Sequence, residues 1–134
     1  MNAPIETIPA GQMSEDDLRR VCVLQNEAFP RPDRTVEDRI AKDRGGWVEG
    51  DFPAESQPRA FIIRDDDRVV AVAMTLVRTI NTQDGPRTVL GLAGVATAQS
   101  HRGRGLGQRV IRAAWAPVDD GERAVCLFHP GRAR

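Results

Sequence analysis

Val95, Ala96 and Thr97 close an apolar run, and within a few positions the chain turns to Arg102, Gly103, Arg104, Gly105, Leu106, Gly107 and Gln108. A glycine-rich turn that opens a helix presents unpaired backbone N–H groups, and the positive end of the helix dipole adds to them. Such a segment suits a phosphate or pyrophosphate. Gly103, Gly105 and Gly107 let the main chain approach an anion that side chains would hold away, and Arg102 and Arg104 add charge beside it. A dinucleotide fingerprint of the form G-x-G-x-x-G fits poorly, because the third position after Gly105 is Gln108 and the segment lies late in the chain. A P-loop fails, since no Lys and no hydroxyl follow the last glycine.

Other residues able to do chemistry have plainer readings. His101 reads as a turn residue ahead of the motif, with a base as its alternative, and His129, at the end of the last apolar run, as a surface group, with a place in a ligand cleft as its alternative. Arg109 and Arg112 read as an exposed helix face, and Trp115 as packing on the same helix. Cys22 and Cys126 lie far apart and lack zinc or haem spacing. Both have apolar neighbours, so buried thiols in a reducing cytoplasm are expected.

The chain has 134 residues, 40% hydrophobic and 28% charged, which fits one domain over 1–134. No stretch approaches the roughly 20 apolar residues of a membrane span, and the first residues have neither the basic nor the apolar region of a secretion signal. Residues 1–84 carry 11 basic and 16 acidic side chains, residues 85–134 carry 8 and 3. The C-terminal excess suits a local anion. A nucleic-acid partner is not expected, because the pI is about 6.7 and Trp115 is the one aromatic residue in the basic stretch 85–118.

The elements that must position the motif follow from periodicity. Ile5 and Thr7 mark a short first strand. Ser14 caps a helix with Glu15, Asp16 and Asp17 in its first turn and Leu18, Val21, Cys22, Gln25, Ala28 and Phe29 on one side, ended by Pro30 and Pro32. A second helix runs from Thr35 to Asp43 and closes near Gly45 and Gly46, completing the helical region 14–44, and residues 47–58 read as loop. Strands are expected at Arg59–Arg64, Arg68–Val77 and Thr88–Ala98, a meander over 59–98 with turns at Asp65–Asp67 and Asn81–Arg87. The motif and its helix occupy 99–116, the helix running from Gly105 to Ala116 with Pro117 as the stop. The last strand, Ala124–Phe128, is wholly apolar and should lie centrally, parallel to the strand before the helix. The fold class is α/β of the α+β type, with a mixed sheet.

Arg102–Gly107 resembles the R/Q-x-x-G-x-G/A motif of the GNAT N-acetyltransferase superfamily, and Gly94–Thr97 with His101–Gly103 is similar to the strand and turn before it there. The resemblance covers about residues 14–130. It implies that the amides of Gly103–Gln108 hold the pyrophosphate of acetyl-coenzyme A and that the main chain of Val95–Thr97 pairs with the pantetheine arm. It further implies acetyl transfer to a primary amine, of a small molecule or a peptide, by direct attack in a ternary complex. A cleft walled by the first helices would take the amine. Trp47 and Phe29 are candidates to line it, with core or loop anchoring as the alternative. Arg109 and Arg112 have contact with a coenzyme phosphate as their alternative. Glu27, Glu49, Asp51 and Glu55 are base candidates by family position, and none is assigned. No metal is implied.

Two features depart from the family pattern. Gln99 stands where Pro is frequent, and the chain has no Tyr, the family's usual general acid. The family continues after its fifth strand into a helix and two strands, so the sequence reads as C-terminally truncated. A non-catalytic acyl-CoA-binding module or truncated pseudoenzyme is the alternative function, and self-association through the last strand is expected.

Overall fold

Ser14 opens the first helix as its residue type predicts, its Oγ accepting the Asp17 N–H at 3.1 Å. The computed structural model describes residues 3–52, 57–119 and 126–128. Helix α1, Glu15–Ala28, buries Leu18, Val21, Cys22, Leu24 and Gln25 and stops at Phe29, one residue before Pro30. Helix α2, Val36–Asp43, has a reciprocal cap: Thr35 Oγ1 accepts from the Asp38 N–H and Asp38 Oδ2 accepts from the Thr35 N–H, each at 3.0 Å.

Where the sequence pointed to a close at Gly45 and Gly46 and a loop from Trp47, the helix instead runs on as a π-helical turn, Arg44–Val48. That turn carries Trp47 into the core, where Nε1 donates to the Thr75 carbonyl at 3.2 Å. Burying an indole with its N–H satisfied outweighs the poor helix propensity of two glycines.

Five strands form one sheet in chain order: β1 (Glu6–Pro9), β2 (Arg59–Asp65), β3 (Arg68–Thr82), β4 (Gly85–Thr97) and β5 (Cys126–Phe128). The first four are antiparallel neighbours, and β5 runs parallel to β4. A third helix, α3, Leu106–Asp119, makes the crossover between them. The β3–β4 hairpin is longer than its apolar pattern suggested, starting at Gly85 rather than Thr88 and reaching Thr82 rather than Val77. A ladder needs main-chain bonds only, and Thr82 Oγ1 pins the turn by donating to the Gly85 carbonyl at 2.7 Å and accepting the Asp84 N–H at 3.1 Å.

Every residue from Val69 to Thr75 is buried, so both faces of the sheet are covered. Met74 faces Gln25 of α1. Thr97 pairs with Ala71, which has the opposite parity in β3, and its Oγ1 lies against Gly107 of α3. The α1 side and the α3 side are therefore the two faces. Arg64 ties the N-terminal elements together, with a bidentate pair to Asp17 at 2.9 Å and Nε to Glu6 at 2.6 Å.

Three further expectations are corrected. Helix α3 passes Pro117 and ends at Asp119, because a proline this near a helix end forfeits a single backbone bond. Trp115 stands 38% exposed rather than packed. Strand β5 is the outermost strand of the described sheet, not a central one, with β4 as its neighbour. Ala124 and Val125, like His129 and the loop residue Glu55, lie outside the described residues.

Candidate active site

The end of β4 is bent by a bulge. Met74 pairs with Ala93 and Val72 with Ala96, so Gly94 and Val95 together oppose Ala73. Gly94 takes the left-handed conformation, φ 64°, that one extra residue requires. Buried Gln25 holds the bulge from α1, its Nε2 donating to the Gly94 carbonyl at 3.1 Å and meeting Met74 Sδ at 3.2 Å. Strand β5 pairs with β4 at Leu90, Gly91 and Leu92 only. Beyond them the β4 edge at Val95, Ala96 and Thr97 carries no strand among the described residues. Ala96 is buried, whereas Val95 and Thr97 are half-exposed.

A 3-10 turn, Gln99–His101, leads from this edge to the glycine loop. Gly103 and Gly105 have φ of 83° and 74°, a conformation that side-chain-bearing residues rarely adopt, and a Cβ on either would meet nothing within 4 Å. At these two positions the loop borders free space rather than packed protein. Arg102, Arg104 and Gln108 are exposed, and Leu106 is buried beneath them as the loop's anchor. The first backbone bond of α3 runs from the Arg109 N–H to the Gly105 carbonyl at 3.1 Å. Helix geometry therefore leaves the N–H groups of Leu106, Gly107 and Gln108 without intrahelical acceptors. Gly107 permits the close approach of α3 to β4, since a Cβ there would lie 3.1 Å from Thr97 Oγ1.

A polar chain braces the loop from behind. Glu27 Oε2 accepts the Gln99 N–H at 2.9 Å, and Oε1 accepts from Arg68 at 3.0 Å. Arg68 also donates to Ser100 Oγ at 3.2 Å; Ser100 Oγ lies 2.8 Å from His101 Nδ1, and His101 Nε2 lies 2.7 Å from Asp65 Oδ2. His101 is accordingly the turn residue expected, and buried. Glu27 is not a free base: the Gln99 amide, followed by Arg68 and Arg102, holds its carboxyl below the usual range. Sequence reasoning missed this bracing because it joins α1, the β2–β3 turn and the loop across 72 positions.

Arg109 corrects another expectation. It is half-buried, and its Nη2 donates to the Ala3 carbonyl at 2.8 Å, tying the N-terminal segment to α3. Arg112 is exposed, as expected.

On the α1 face a cleft of about 390 Å³ borders the bulge at Ala93 and Gly94. Trp47, Phe29, Met74 and Leu76 give it apolar walls, and Arg34, Arg39, Lys42 and Asp43 line its α2 side. Trp47 is a core residue that also lines this cleft, while Phe29 is exposed at its mouth. Glu49 and Asp51 are exposed and outside the cleft lining. Asp43 is the acid that lines it, unforeseen in the sequence although Arg39, Lys42, Asp43 and Gly46 share one helix face by spacing. Burial raises the Asp43 carboxyl, and its Oδ2 lies 3.7 Å from Cys22 Sγ. Burial, with Asp43 beside it, pushes the Cys22 thiol up to about 12. Among the described residues no group of His, Cys, Asp and Glu could hold a metal ion, and no helix is long and apolar enough to cross a membrane.

The family model of the acetyltransferase (GNAT) domain matches residues 10–132. No curated protein matches the chain. Among solved structures, it is similar to a putative acetyltransferase from Agrobacterium tumefaciens str. C58, with TM-score 0.69 and 21% identity over 96% of this chain and 83% of that one. It is also similar to glucosamine-6-phosphate N-acetyltransferase from Arabidopsis thaliana, with TM-score 0.66 and 9% identity over 94% and 82%. An aminoglycoside N-acetyltransferase in complex with CoA gives TM-score 0.64 and 14% identity over 96% and 78%. These likenesses extend to the fold, and with the family match over most of its length the chain belongs to the GNAT acetyltransferase family.

Proposed function

We propose that the protein is an acetyl-CoA-dependent N-acetyltransferase that acts on a primary amine in a ternary complex. The observation that carries this reading is continuity: the β4 edge at Val95–Thr97, without a strand neighbour among the described residues, joins at one end a glycine loop with free space beside Gly103 and Gly105 and at the other a cleft beside Gly94. Acetyl-CoA, when bound, supplies an activated acetyl group as a thioester. The amides of Gly103, Arg104, Gly105, Leu106, Gly107 and Gln108 face its pyrophosphate, with Arg102 adding charge. Val95, Ala96 and Thr97 offer main-chain groups to the pantetheine arm, as a strand edge does to an added strand.

The cleft holds the amine against the bulge, and proximity provides much of the rate. The amine nitrogen forms the new bond to the acetyl carbon as the carbon–sulfur bond breaks, the amine proton passing to a base or water and the thiolate taking up a proton. Buried Cys22, held as a thiol, is a poor nucleophile, which favours direct transfer over a Cys22 acyl-enzyme. Initial rates of thiol release, with amine and acetyl-CoA varied together, test the mechanism. Intersecting double-reciprocal lines are expected, and parallel lines would indicate a covalent intermediate.

A second reading is a non-catalytic acyl-CoA-binding module, favoured by the capture of the base candidate Glu27 by the Gln99 amide and Arg68. Tight acetyl-CoA binding without thiol release across a broad amine panel would support that reading over the first.

A further inference from the structure

Charge in the cleft is one-sided. Arg39 and Lys42, three positions apart on α2, and Arg34 just before that helix all line it, and Asp43 is the single acid among its described lining residues. The three cations are not ion-paired among the described residues. Nearby Arg19, Arg20, Arg31, Arg44, Arg64 and Arg68 all have carboxylate partners. Arg39 reaches the Phe29 carbonyl at 3.4 Å, yet its Nε is buried with no partner. Asp43 is turned toward Cys22 and feels all three cations, so it offsets one of the three charges and leaves the lining net cationic.

Unpaired cations around a half-enclosed space with apolar walls suit an anion brought by the ligand. We propose that the cleft selects amine acceptors that also carry a carboxylate or a phosphate, with Arg34, Arg39 and Lys42 holding that anion while the amine lies toward Gly94. This deepens the acetyl-transfer reading and rests on it. Trp47 and Leu76 flank the body of such an acceptor between its two polar ends. A polycationic acceptor, by contrast, meets like charge at α2.

The test is calorimetric titration of the protein, alone and loaded with CoA, with paired probes. An amino acid is set against its amide, an amino-sugar phosphate against the free amino sugar, and an aminoglycoside is added as a polycation. The anionic member of at least one pair should bind roughly tenfold or more tightly than its neutral counterpart. Whichever pair shows the larger gap identifies carboxylate or phosphate as the anion. The gap should narrow in Arg34→Gln and in Lys42→Gln and turn toward cationic amines in Lys42→Glu, with acetyl-CoA affinity unaltered in all three. Equal binding within both pairs, a preference for the aminoglycoside, a gap untouched by the substitutions, or no binding of either anionic amine would overturn the proposal. Failure of acetyl-CoA to bind the wild type would overturn the acetyl-transfer reading instead, and the amine titrations on the protein alone would still report the anion preference.

Discussion

Replacing Gly94 with Ala strikes the bulge from two directions at once. The left-handed φ of 64° costs an alanine about 1 kcal/mol. The new Cβ would lie 2.6 Å from Gln25 Nε2 and 3.2 Å from Met74 Sδ, so the Gln25 amide must swing away from the Gly94 carbonyl. Giving up that 3.1 Å bond inside the fold adds about 1–2 kcal/mol. Together the two effects come to about 2–3 kcal/mol, or a fall in the urea midpoint of about 1–2 M for a small domain. Gln25→Ala removes the obstacle, so in that background Gly94→Ala should cost only the conformational part. A double-mutant cycle by urea denaturation should then show coupling of about 1–2 kcal/mol. Additive costs, or a single substitution tolerated without loss, would refute the role given to Gln25 as the support of the bulge.

Glu27→Ala frees the glycine loop from α1 and should weaken acetyl-CoA binding roughly fivefold by calorimetry, about one hydrogen bond's worth; unchanged affinity would count against the bracing. Arg64→Met leaves Asp17, 17% exposed, without its bidentate partner, and should destabilise the fold by about 2–3 kcal/mol in urea after allowance for solvent screening. Because Arg64 lowers the Asp17 carboxyl below its ordinary 3.8, this contribution is present above pH 3.8 and fades as pH falls through the lowered value. Thermal melts of the wild type and Arg64→Met should therefore converge in acid. Asp43 has the opposite sign: its raised carboxyl stabilises the fold below pH 3.8 and loses that contribution as pH rises through the raised value. Asp43→Asn should accordingly melt a few degrees higher than wild type at neutral pH, on the order of 1 kcal/mol or less given partial exposure, and no higher near pH 3.

Local signals carried much of the architecture. Ser14 with its acidic first turn, the prolines that follow α1, and the short apolar runs of β2 and β3 bounded by polar turns each act within a few positions, where sequence and structure speak the same language. The glycine loop was legible for the same reason, since positive φ at Gly103 and Gly105 is a property of the loop alone. Features that depend on distant partners were not legible. Trp47 converts two glycines into helix by reaching β3, Arg109 leaves the helix surface to hold Ala3, and Glu27 is taken up by an amide in the loop. The cleft cations lay in plain view as helix-spaced residues, but their lack of carboxylate partners emerges only when the ion pairs around them are placed in space.

The most direct measurement is titration of acetyl-CoA into the wild type, Gly105→Ala and Gly105→Glu by calorimetry. Alanine reproduces the backbone strain at φ 74°, and glutamate adds a carboxylate in the free space beside Gly105. Wild-type binding that falls at least tenfold further in Gly105→Glu than in Gly105→Ala is the expected result, from repulsion between the new charge and the pyrophosphate. Equal affinity in the two variants, or no binding to the wild type, would contradict the assignment of this loop to the coenzyme.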